Sequence, residues 1–317
     1  MRILVTGAAG FIGSHYVRSL LADADAPRVT ALDLLTYAGN RDNLPPSHPR
    51  MEFVRADVCD ARALADVLPG HDAVVHFAAE SHVDRSVADG SVFVRTNVVG
   101  TQTLLAAAVA AGVERVVHVS TDEVYGSLER GAAREDHPLA PNSPYAASKA
   151  GSDLIARAYW RTHGLDVSVT RCSNNYGPRQ HPEKLIPRFV TALVSGGRVP
   201  LYGDGRNVRE WLHVEDHCRA VHLVLTRGRA GGVYNVGGGD GLTNLEMTRR
   251  LLELCGADET AIERVPDRLG HDLRYCIDDT TIREELGYEP RVPFARGLRD
   301  TVAWYRDNPG WWKPLAA

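Results

Sequence analysis

The chain has 317 residues, 44% apolar and 24% charged, with a formal net charge of -4. This balance is ordinary for a globular protein of one large α/β domain or two lobes, and it gives no reason to expect nucleic acid or an anionic membrane as a partner. No uninterrupted apolar run reaches the roughly 20 residues of a membrane helix, and the chain opens on a strand instead of a signal segment, so we expect a cytoplasmic location. The five cysteines lack metal-ligand spacing, and we expect no metal site.

The first predicted strand runs into a glycine-rich turn. Residues 3–6 are apolar, and Gly7, Gly10 and Gly13 follow at a spacing of three, before a helix that we expect to reach about Leu21. Such a turn lets the backbone approach a pyrophosphate, whose charge then meets the free N–H groups of the helix N-terminus. The glycine pattern alone is weak evidence, because glycine-rich turns are common.

The second predicted strand strengthens that interpretation. It covers residues 29–32 and ends at Asp33, twenty residues after Gly13. A carboxylate at this place can accept hydrogen bonds from the adenosine ribose, and it repels a 2′-phosphate. Leu34 and Leu35 follow and offer no cation for such a phosphate, so the sequence favours NAD over NADP.

Three further apolar strands, 51–55, 73–77 and 116–120, alternate with helices such as 99–111, and all three end on polar positions. Alternation of this kind predicts an α/β fold with a doubly wound parallel sheet of the Rossmann type, in which ligands bind beyond the carboxyl ends of the strands. Asp57 and Val58 follow the first of these strands. Phe77 ends the second, and Ala78, Ala79 and Ser81 follow it. Thr121, Asp122 and Glu123 follow the third.

A tyrosine and a lysine complete the chemical pattern. Tyr145 and Lys149 are one turn apart on a helix that we expect over residues 146–162, with its start marked by Ser143 and Pro144. Such a pair can move a proton while a hydride moves the other way. The additional acid and base in the 121–123 triplet indicate that the redox step is coupled to a second proton-demanding step, for which elimination of water is the obvious candidate.

The second half of the chain is less regular. We assign residues 1–172 to a NAD-binding domain, to which a segment around 208–237 returns, and residues 173–317 mainly to a smaller substrate-binding lobe. We expect turns at 174–178 and 200–205, a helix to about 195 and a strand within 231–240. Four cations, Lys184, Arg209, Arg268 and His271, either grip a diphosphate or belong to a solvated surface, and periodicity does not decide between the two.

The motifs resemble the extended short-chain dehydrogenase/reductase family, and within it the dTDP-glucose 4,6-dehydratases. The glycine turn and Tyr-x-x-x-Lys mark only the superfamily. The Thr-Asp-Glu triplet is the discriminating part, because related sugar-nucleotide epimerases usually carry small or hydroxyl residues there. Leu34 stands where this family usually has a lysine. The resemblance runs nearly end to end and rests on the segments 6–13, 35–40, 77–84, 120–126, 145–149, 173–178 and 209–216.

The resemblance implies a role for each catalytic residue. Tyr145, as a phenolate favoured by Lys149 and the nicotinamide charge, removes the proton of the sugar 4-hydroxyl, and Thr121 steadies the 4-oxygen. Glu123 removes the C5 proton, and Asp122 protonates the departing 6-hydroxyl. Asp122 must be protonated for this, so we expect burial or Glu123 to raise its pKa.

The resemblance also implies two sets of binding residues and a homodimer through the helices at 99–111 and 146–162. The expected NAD-binding residues are Gly7, Gly10, Phe11, Ile12, Gly13, Asp33, Leu34, Leu35, Thr36, Asp57, Val58, Phe77, Ala78, Ala79, Ser81, Thr96, Tyr145 and Lys149. The expected nucleotide-sugar residues are Ser81, Thr121, Asn174, Asn175, Lys184, Leu185, Ile186, Pro187, Pro200, Tyr202, Arg209, Asn244, Arg268 and His271. A helix cap is the alternative role for Thr96.

Two alternatives remain open at this point. The first keeps the fold and changes the reaction to a 4-epimerase or another NAD-dependent nucleotide-sugar dehydratase; Asp122 and Glu123 argue against an epimerase. The second is a redox-sensing NAD-binding regulator without turnover. Such proteins typically lose the Tyr-x-x-x-Lys pair, and this chain keeps Tyr145 and Lys149.

Overall fold

The computed structural model describes residues 1–22 and 27–315. Within them, twelve strands are present: β1 (Arg2–Thr6), β2 (Arg28–Asp33), β3 (Met51–Arg55), β4 (Ala73–His76), β5 (Arg115–Thr121), β6 (Asp166–Cys172), β7 (Asn174–Tyr176), β8 (Val199–Tyr202), β9 (Val208–His213), β10 (Val233–Val236), β11 (Asp240–Thr243) and β12 (Ile262–Val265).

The helices of the described chain alternate with the strands in the first half and cluster in the second. They are α1 (Phe11–Ala22), α2 (Ala61–Val67), α3 (Val83–Ala88), α4 (Ser91–Ala110), α5 (Pro144–His163), α6 (Leu185–Val194), α7 (Val214–Arg227), α8 (Asn244–Cys255), α9 (Thr280–Leu286), α10 (Phe294–Asp307) and α11 (Pro309–Trp312). Short 3₁₀ turns add Arg41–Asn43, Asp122–Tyr125, Glu259–Ala261 and Lys313–Leu315.

Seven strands form a parallel sheet in the order β10-β6-β5-β4-β1-β2-β3, which confirms the predicted doubly wound fold. Both faces of this sheet are covered by helices, so successive residues of β1 enter opposite cores: Ile3 and Val5 pack on one face and Leu4 on the other. The strand order reverses between β1 and β4. Crevices at such reversals are where ligands bind in these folds.

The C-terminal lobe has its own small sheets and core. β7 and β11 flank β9, while β8 pairs with β12. The lobe core includes Phe189 of α6, Trp211 of β9, Met247 of α8 and Tyr305 of α10. β10, which follows α7 in the chain, pairs with β6 and completes the large sheet.

Several predicted boundaries need correction. α1 already begins at Phe11, so Gly13 lies inside the helix instead of before it. The expected turns at 174–178 and 200–205 contain the strands β7 and β8, because their pairing partners, β9 and β12, are distant in sequence. The strand expected within 231–240 is two strands, β10 and the start of β11.

α4 differs most from its prediction. It starts at Ser91, eight residues before the expected 99, and its Val94–Gly100 segment is a π-helix. Its 20 residues have a mean hydropathy of 1.3, so by length and composition it is the one described helix that could cross a membrane. The same helix contributes Phe93, Leu104 and Leu105 to buried clusters of the fold, as core helices do.

Candidate active site

One cleft runs along the carboxyl ends of the strands at the β1–β4 reversal. Its walls come from the turns after β1, β2, β3, β4 and β5, from α4 and α5, and from the segment after β6. Every expected NAD-binding residue except Leu35 lines it. From the expected nucleotide-sugar set, the residues that line it are Ser81, Thr121, Asn174, Asn175 and Lys184.

The glycine turn shapes the floor of the cleft. Gly7 has φ +67°, and a Cβ there would lie 2.6 Å from the backbone nitrogen of Ala78. A Cβ on Gly13 would lie 2.1 Å from the Gly7 carbonyl oxygen. Both positions therefore require glycine, and the space they preserve brings bare backbone and the N-terminus of α1 to the cleft, which suits a pyrophosphate.

Asp33 closes the adjacent end of the cleft. Its Oδ2 accepts a hydrogen bond from the Ala9 N–H at 2.9 Å and its Oδ1 from the Leu35 N–H at 2.8 Å. Burial raises the pKa of this carboxyl, and the N–H groups lower it. Leu35 has φ +59° and packs against the core below the sheet, which explains why it does not line the cleft. Leu34 is 40% exposed at the rim.

The tyrosine and lysine are placed by α5 as the sequence predicts. Ser143 caps this helix by accepting from the Ala146 N–H, and Pro144 occupies its first turn. Lys149 is buried, and its ammonium donates to the Val119 carbonyl of β5 at 2.7 Å. Burial lowers the pKa of Lys149 to about 8, against the carboxylate of Asp153, which raises it.

The pKa of Tyr145 moves opposite to the expected direction within the protein itself. Burial raises it well above the usual value, and the charge of Glu123 raises it further. A hydrogen bond with Thr121 is the contribution that lowers it. The lysine beside the phenol is apparent from the helical spacing, whereas the burial of the phenol and the carboxylates across the cleft arise only on folding.

The acid–base pair follows β5 directly. Thr121 accepts a hydrogen bond from the Glu123 N–H and donates to Asp122 Oδ1 at 3.2 Å, so the three side chains are held by a short 3₁₀ turn. Asp122 is 2% exposed. Burial raises the pKa of Asp122 well above its usual value, with further contributions from Glu123 and Glu210, which confirms the predicted direction. Burial also raises the pKa of Glu123, while Arg268, Arg209 and Lys184 lower it.

Thr96 lines the cleft from within the π-helical segment of α4, so it is not a helix cap. The neighbouring Asn97 is buried and bonds Ser148 of α5 at 2.8 Å, and it also bonds the backbone of Glu80. The wide π turn thus places two successive polar residues on the side of α4 that faces the cleft and α5.

The two predicted asparagines behave differently. Asn175 accepts from His217 Nδ1 at 3.0 Å, and its amide donates to the Ser173 carbonyl and the Cys172 thiol. Its side chain is therefore engaged within the protein and supports the cleft wall. Asn174 has a buried Oδ1 without a hydrogen-bond partner among the described residues, and it lines the cleft.

The predicted cations gather next to the 121–123 triplet: Lys184 lines the cleft, and Arg209, Arg268 and His271 lie just beyond its lining residues. Lys184 donates to the Ser81 carbonyl. Arg209 stacks over the Tyr275 ring at 4.2 Å, and Arg268 lies 3.5 Å from Asp84. His271 Nδ1 contacts Asp267 Oδ1 at 2.6 Å. Because three of these cations lower the pKa of Glu123, the structure places them around one site rather than scattered on the surface.

The remaining predicted residues have mixed positions. Tyr202 donates to Asp84 at 3.3 Å and lies edge-on to His271, on the same side as Arg268. Ile186 is a core residue of the lobe, and Leu185 and Pro187 flank it in the first turn of α6. Pro200 is part of β8. Asn244 opens α8 and has a buried Oδ1 without a partner in the described chain.

Sequence reasoning missed several charged and phenolic groups here. Tyr275 contacts Glu123, Glu210 lies close enough to raise the pKa of Asp122, and Glu183 lines the cleft beside Lys184. Glu210 and Glu183 each stand next to a predicted cation, and that adjacency was the available signal. The sequence carries no such signal for Tyr275 and its partner Asp272, because these residues reach the site only when the 268–275 loop folds.

Comparison with known proteins places this site in a family. Residues 4–301 match the family model described as GDP-mannose 4,6 dehydratase. A dTDP-glucose 4,6-dehydratase of Streptomyces griseus is 64% identical over 317 residues, 99% of this chain and 96% of that protein. One of Streptomyces niveus is 59% identical over 99% of this chain and 96% of its own length.

Solved structures of related enzymes share this fold, but their sequence identity to this chain differs. DesIV, the dTDP-glucose 4,6-dehydratase of Streptomyces venezuelae, solved with NAD and TYD bound, has a TM-score of 0.98 at 65% identity, covering 99% of this chain and 100% of that one. A UDP-glucose 4-epimerase of Thermotoga maritima, solved with UDP-glucose, has a TM-score of 0.91 at 32% identity, covering 98% and 100%. The chain therefore belongs to the GDP-mannose 4,6 dehydratase family, together with these dTDP-glucose 4,6-dehydratases.

Proposed function

We propose that the protein is a NAD-dependent hydro-lyase, a dTDP-glucose 4,6-dehydratase, which converts dTDP-D-glucose to dTDP-4-keto-6-deoxy-D-glucose and water. The observation that carries this proposal is the buried Asp122 next to Glu123, opposite Tyr145 in one cleft. A dehydratase needs a protonated acid and a base together, and the raised pKa of Asp122 provides the acid. The 59–65% identity to proteins named for this reaction supports it.

The cofactor fits the residues present. The turn at Gly7 and Gly13 and the N-terminus of α1 suit the pyrophosphate, Asp33 the adenosine ribose, and Asp57 and Val58 the adenine side of the cleft. When bound, NAD would supply the hydride acceptor for C4 and the hydride donor for C6. A retained NAD is part of this proposal, and the solved relatives that contain NAD support it.

The chain's own residues handle the protons. Tyr145 takes the proton of the 4-hydroxyl as a phenolate, for which the charges of Lys149 and of a bound nicotinamide have to offset the burial that raises its pKa. Its hydrogen bond with Thr121 supports a role for both groups at the same oxygen. Once C4 is a ketone, the C5 proton is acidic because the resulting carbanion is an enolate. Glu123 removes that proton, and Asp122 donates its own to the departing 6-hydroxyl, so that one water leaves. At the end the protonated Glu123 returns its proton to C5, and the proton taken by Tyr145 is balanced by the one that Asp122 regains through solvent.

The nucleotide-sugar end of the site is also proposed. The cations around Glu123, namely Lys184, Arg209 and Arg268, suit the diphosphate. Asn174 and Asn244, each with a buried carbonyl oxygen that lacks a hydrogen-bond partner among the described residues, suit donors of the ligand. We retain the division into residues 1–172 and 173–317, with 208–237 returning to the first domain, as a proposal.

A homodimer through a helix bundle and a cytoplasmic location complete the proposal. Apolar side chains remain exposed along α4 and α5, which pack together: Val94 is 50% exposed, Val99 48% and Leu154 55%. Exposed apolar residues on paired helices suit a partner copy. Light scattering after gel filtration tests this, since a mass of one chain at micromolar concentration contradicts the dimer.

The function is tested by incubating the purified protein with dTDP-glucose without added NAD, followed by mass spectrometry. We expect a loss of about 18 mass units, which demonstrates dehydration and a retained cofactor together. An unchanged mass with a new galacto isomer would indicate the epimerase instead. A parallel reaction with UDP-glucose tests whether the enzyme distinguishes thymine from uracil in the nucleotide. If neither substrate reacts when NAD is added, the proposal is contradicted.

A further inference from the structure

A chain of hydrogen bonds enters the site from behind Glu123. Asp272 Oδ1 accepts from the Asn142 amide at 2.6 Å, and Asp272 Oδ2 accepts from the Tyr275 hydroxyl at 2.7 Å. The same hydroxyl lies 3.5 Å from Glu123 Oε2. Asp272 and Tyr275 are 5% and 4% exposed, so water competes little for these groups.

The loop that carries Asp272 is fixed in place on several sides. The Asp272 carbonyl accepts from the side chains of Asn207 and Arg209, and the Leu273 N–H donates to the Ser127 hydroxyl at 3.0 Å. Gly270 has φ +63°, and a Cβ there would lie 2.9 Å from the Asn142 carbonyl oxygen. The position of the Asp272 carboxylate is thus determined by the fold and not by a flexible side chain.

The Tyr275 hydroxyl has one hydrogen and faces two carboxylates that, when ionised, can only accept. The contact to Asp272 has the usual O–H···O length, and the contact to Glu123 is well beyond it. The hydrogen therefore belongs to Asp272. Glu123 consequently faces the oxygen of Tyr275 without receiving its hydrogen, and the negative charge of Asp272 stands behind that oxygen.

On these contacts we propose that Asp272 is a positioning residue for the elimination step: it holds the Tyr275 hydroxyl hydrogen and so keeps Glu123 free to accept the C5 proton. The proposal rests on the proposed function, because it assigns the C5 proton to Glu123. Asp272 itself touches neither the substrate nor the cofactor in this assignment and acts only through Tyr275 and through its charge.

The charges around Glu123 explain why such a device is needed. Burial raises the pKa of Glu123, three cations lower it and so make Glu123 a weaker base, and the carboxylate of Asp272 opposes these cations by raising it. If the charge of Asp272 is removed, the cations lower the pKa of Glu123 without a carboxylate to oppose them. The charged or titratable groups that face Glu123 from the elements around it are Asp122, Tyr145, Lys184, Arg209, Arg268, Asp272 and Tyr275.

The first test is Asp272→Asn in the full-length protein with its retained cofactor. Because Asn142 donates to one oxygen of this side chain, the new amide nitrogen faces Tyr275 and turns the phenol hydrogen toward Glu123. We expect the acidic limb of the kcat–pH profile to move down by about one pH unit, since a base works above its pKa and that pKa falls. We expect kcat at neutral pH to fall roughly tenfold, less than removal of the base itself would cost.

Isotope effects separate this role from a structural one. In Asp272→Asn, the kinetic isotope effect with dTDP-glucose deuterated at C5 should increase, because proton removal by a weaker base limits the rate more strongly. The isotope effect with substrate deuterated at C4 should not increase. Asn142→Ser, which removes a bond to Asp272 and keeps its carboxylate, is the matched control and should leave the acidic limb in place. The proposal is overturned if Asp272→Asn leaves both the acidic limb of the kcat–pH profile and the C5 isotope effect at their wild-type values. It is also overturned if Asn142→Ser moves the acidic limb as far as Asp272→Asn does.

Tyr275→Phe gives a second test that does not depend on the folding of Asp272→Asn. With the hydrogen on Asp272, loss of the phenol removes no donor from Glu123, so the acidic limb should stay within a few tenths of a pH unit of the wild type. An upward shift would mean that the hydrogen lay on Glu123, contrary to the proposal. If the wild type does not dehydrate dTDP-glucose, the proposed function fails and this proposal with it; if it does, a negative result concerns Asp272 alone.

Discussion

The two sides of the cleft are built by different means. On the cofactor side, the walls are strand ends and glycine turns, and much of what a ligand meets is backbone held by the parallel sheet. On the nucleotide-sugar side, the walls are long charged and aromatic side chains that already bond one another, such as Arg209 over Tyr275 and Arg268 near Asp84. The shape of the cofactor side is therefore determined by close packing of the backbone, and that of the nucleotide-sugar side by the balance of charges among its side chains.

That difference predicts different consequences of mutation. Changes on the cofactor side should act through steric fit and stability, because any added atom meets fixed backbone. Changes on the other side should act through pKa and affinity, because side chains there can be removed without moving the sheet. Glu123 follows β5 but faces the cations, so its substitution should act on the second side.

The largest effect is expected from Glu123→Gln, which keeps the size of the side chain and removes the proposed base. The kcat for dehydration should fall by about 10²–10⁴-fold, as general-base removal does. The solvent-exposed Glu129 offers a matched control, since Glu129→Gln should leave kcat unchanged. Retention of NAD, measured after denaturing the purified variant, should equal that of the wild type; a loss of NAD would mean that Glu123 acts on the cofactor side.

Gly13→Val should break the cofactor side by steric conflict alone. Its Cβ would start 2.1 Å from the Gly7 carbonyl oxygen, and overpacking of this kind costs about 1–3 kcal/mol or more. We expect a lower Tm and a purified protein with little bound NAD. Gly310→Ala, at a site with no atom within 4 Å of the added Cβ, should change neither. Full NAD content in Gly13→Val would contradict the assignment of this turn to the pyrophosphate.

Arg209→Met should weaken the nucleotide-sugar side while leaving the sheet intact. A charged hydrogen bond is worth about 1.5–3 kcal/mol, so KM for dTDP-glucose should rise roughly tenfold to a hundredfold. The exposed Arg206 is the control, and Arg206→Met should leave KM at the wild-type value. If instead the NAD content of Arg209→Met fell and KM did not change, the division of the cleft into two sides would be wrong.

The smallest expected effect concerns stability. Because the folded pKa of Asp122 is raised, its contribution to stability is present below the unfolded pKa and is lost as pH rises through the folded pKa. Asp122→Asn avoids that loss, so it should stabilise the protein at neutral pH.

The gain from Asp122→Asn should shrink as pH falls, since Asp122 is then protonated in both states. Unfolding by urea at neutral and acidic pH measures it. Asp136→Asn, whose side chain is 87% exposed, should show no such gain. A variant that is less stable than the wild type at neutral pH would mean that Asp122 is held as a carboxylate in the folded protein.

The comparison also explains what could be predicted from sequence. Residues at strand ends were placed together correctly because parallel strands carry their carboxyl ends to one edge, so Asp33 and Thr121 needed no further information. Leu35 was misplaced because its positive φ turns it toward the core. The pairing of β8 with β12 joins residues about 60 positions apart, as Leu201 and Arg264 show, and periodicity carries no trace of it. The role of Asp272 could not be predicted either, because the contact of its partner Tyr275 with Glu123 joins parts of the chain that are distant in sequence.

The π-helical segment of α4 has a consequence for insertions and deletions. Its turns hold one residue more than α-helical turns, and it lies between the buried Phe93 and Thr101, which bonds His76 at 3.0 Å. Because the segment holds about one residue more than an α-helix of the same rotation, deleting a single residue from Val94–Gly100 would let it close to ordinary geometry and keep Leu104 directed at the core. A deletion from Thr101–Ala110 would instead rotate the residues after it by about 100°, so the α-helical part of α4 is under the stronger constraint on length.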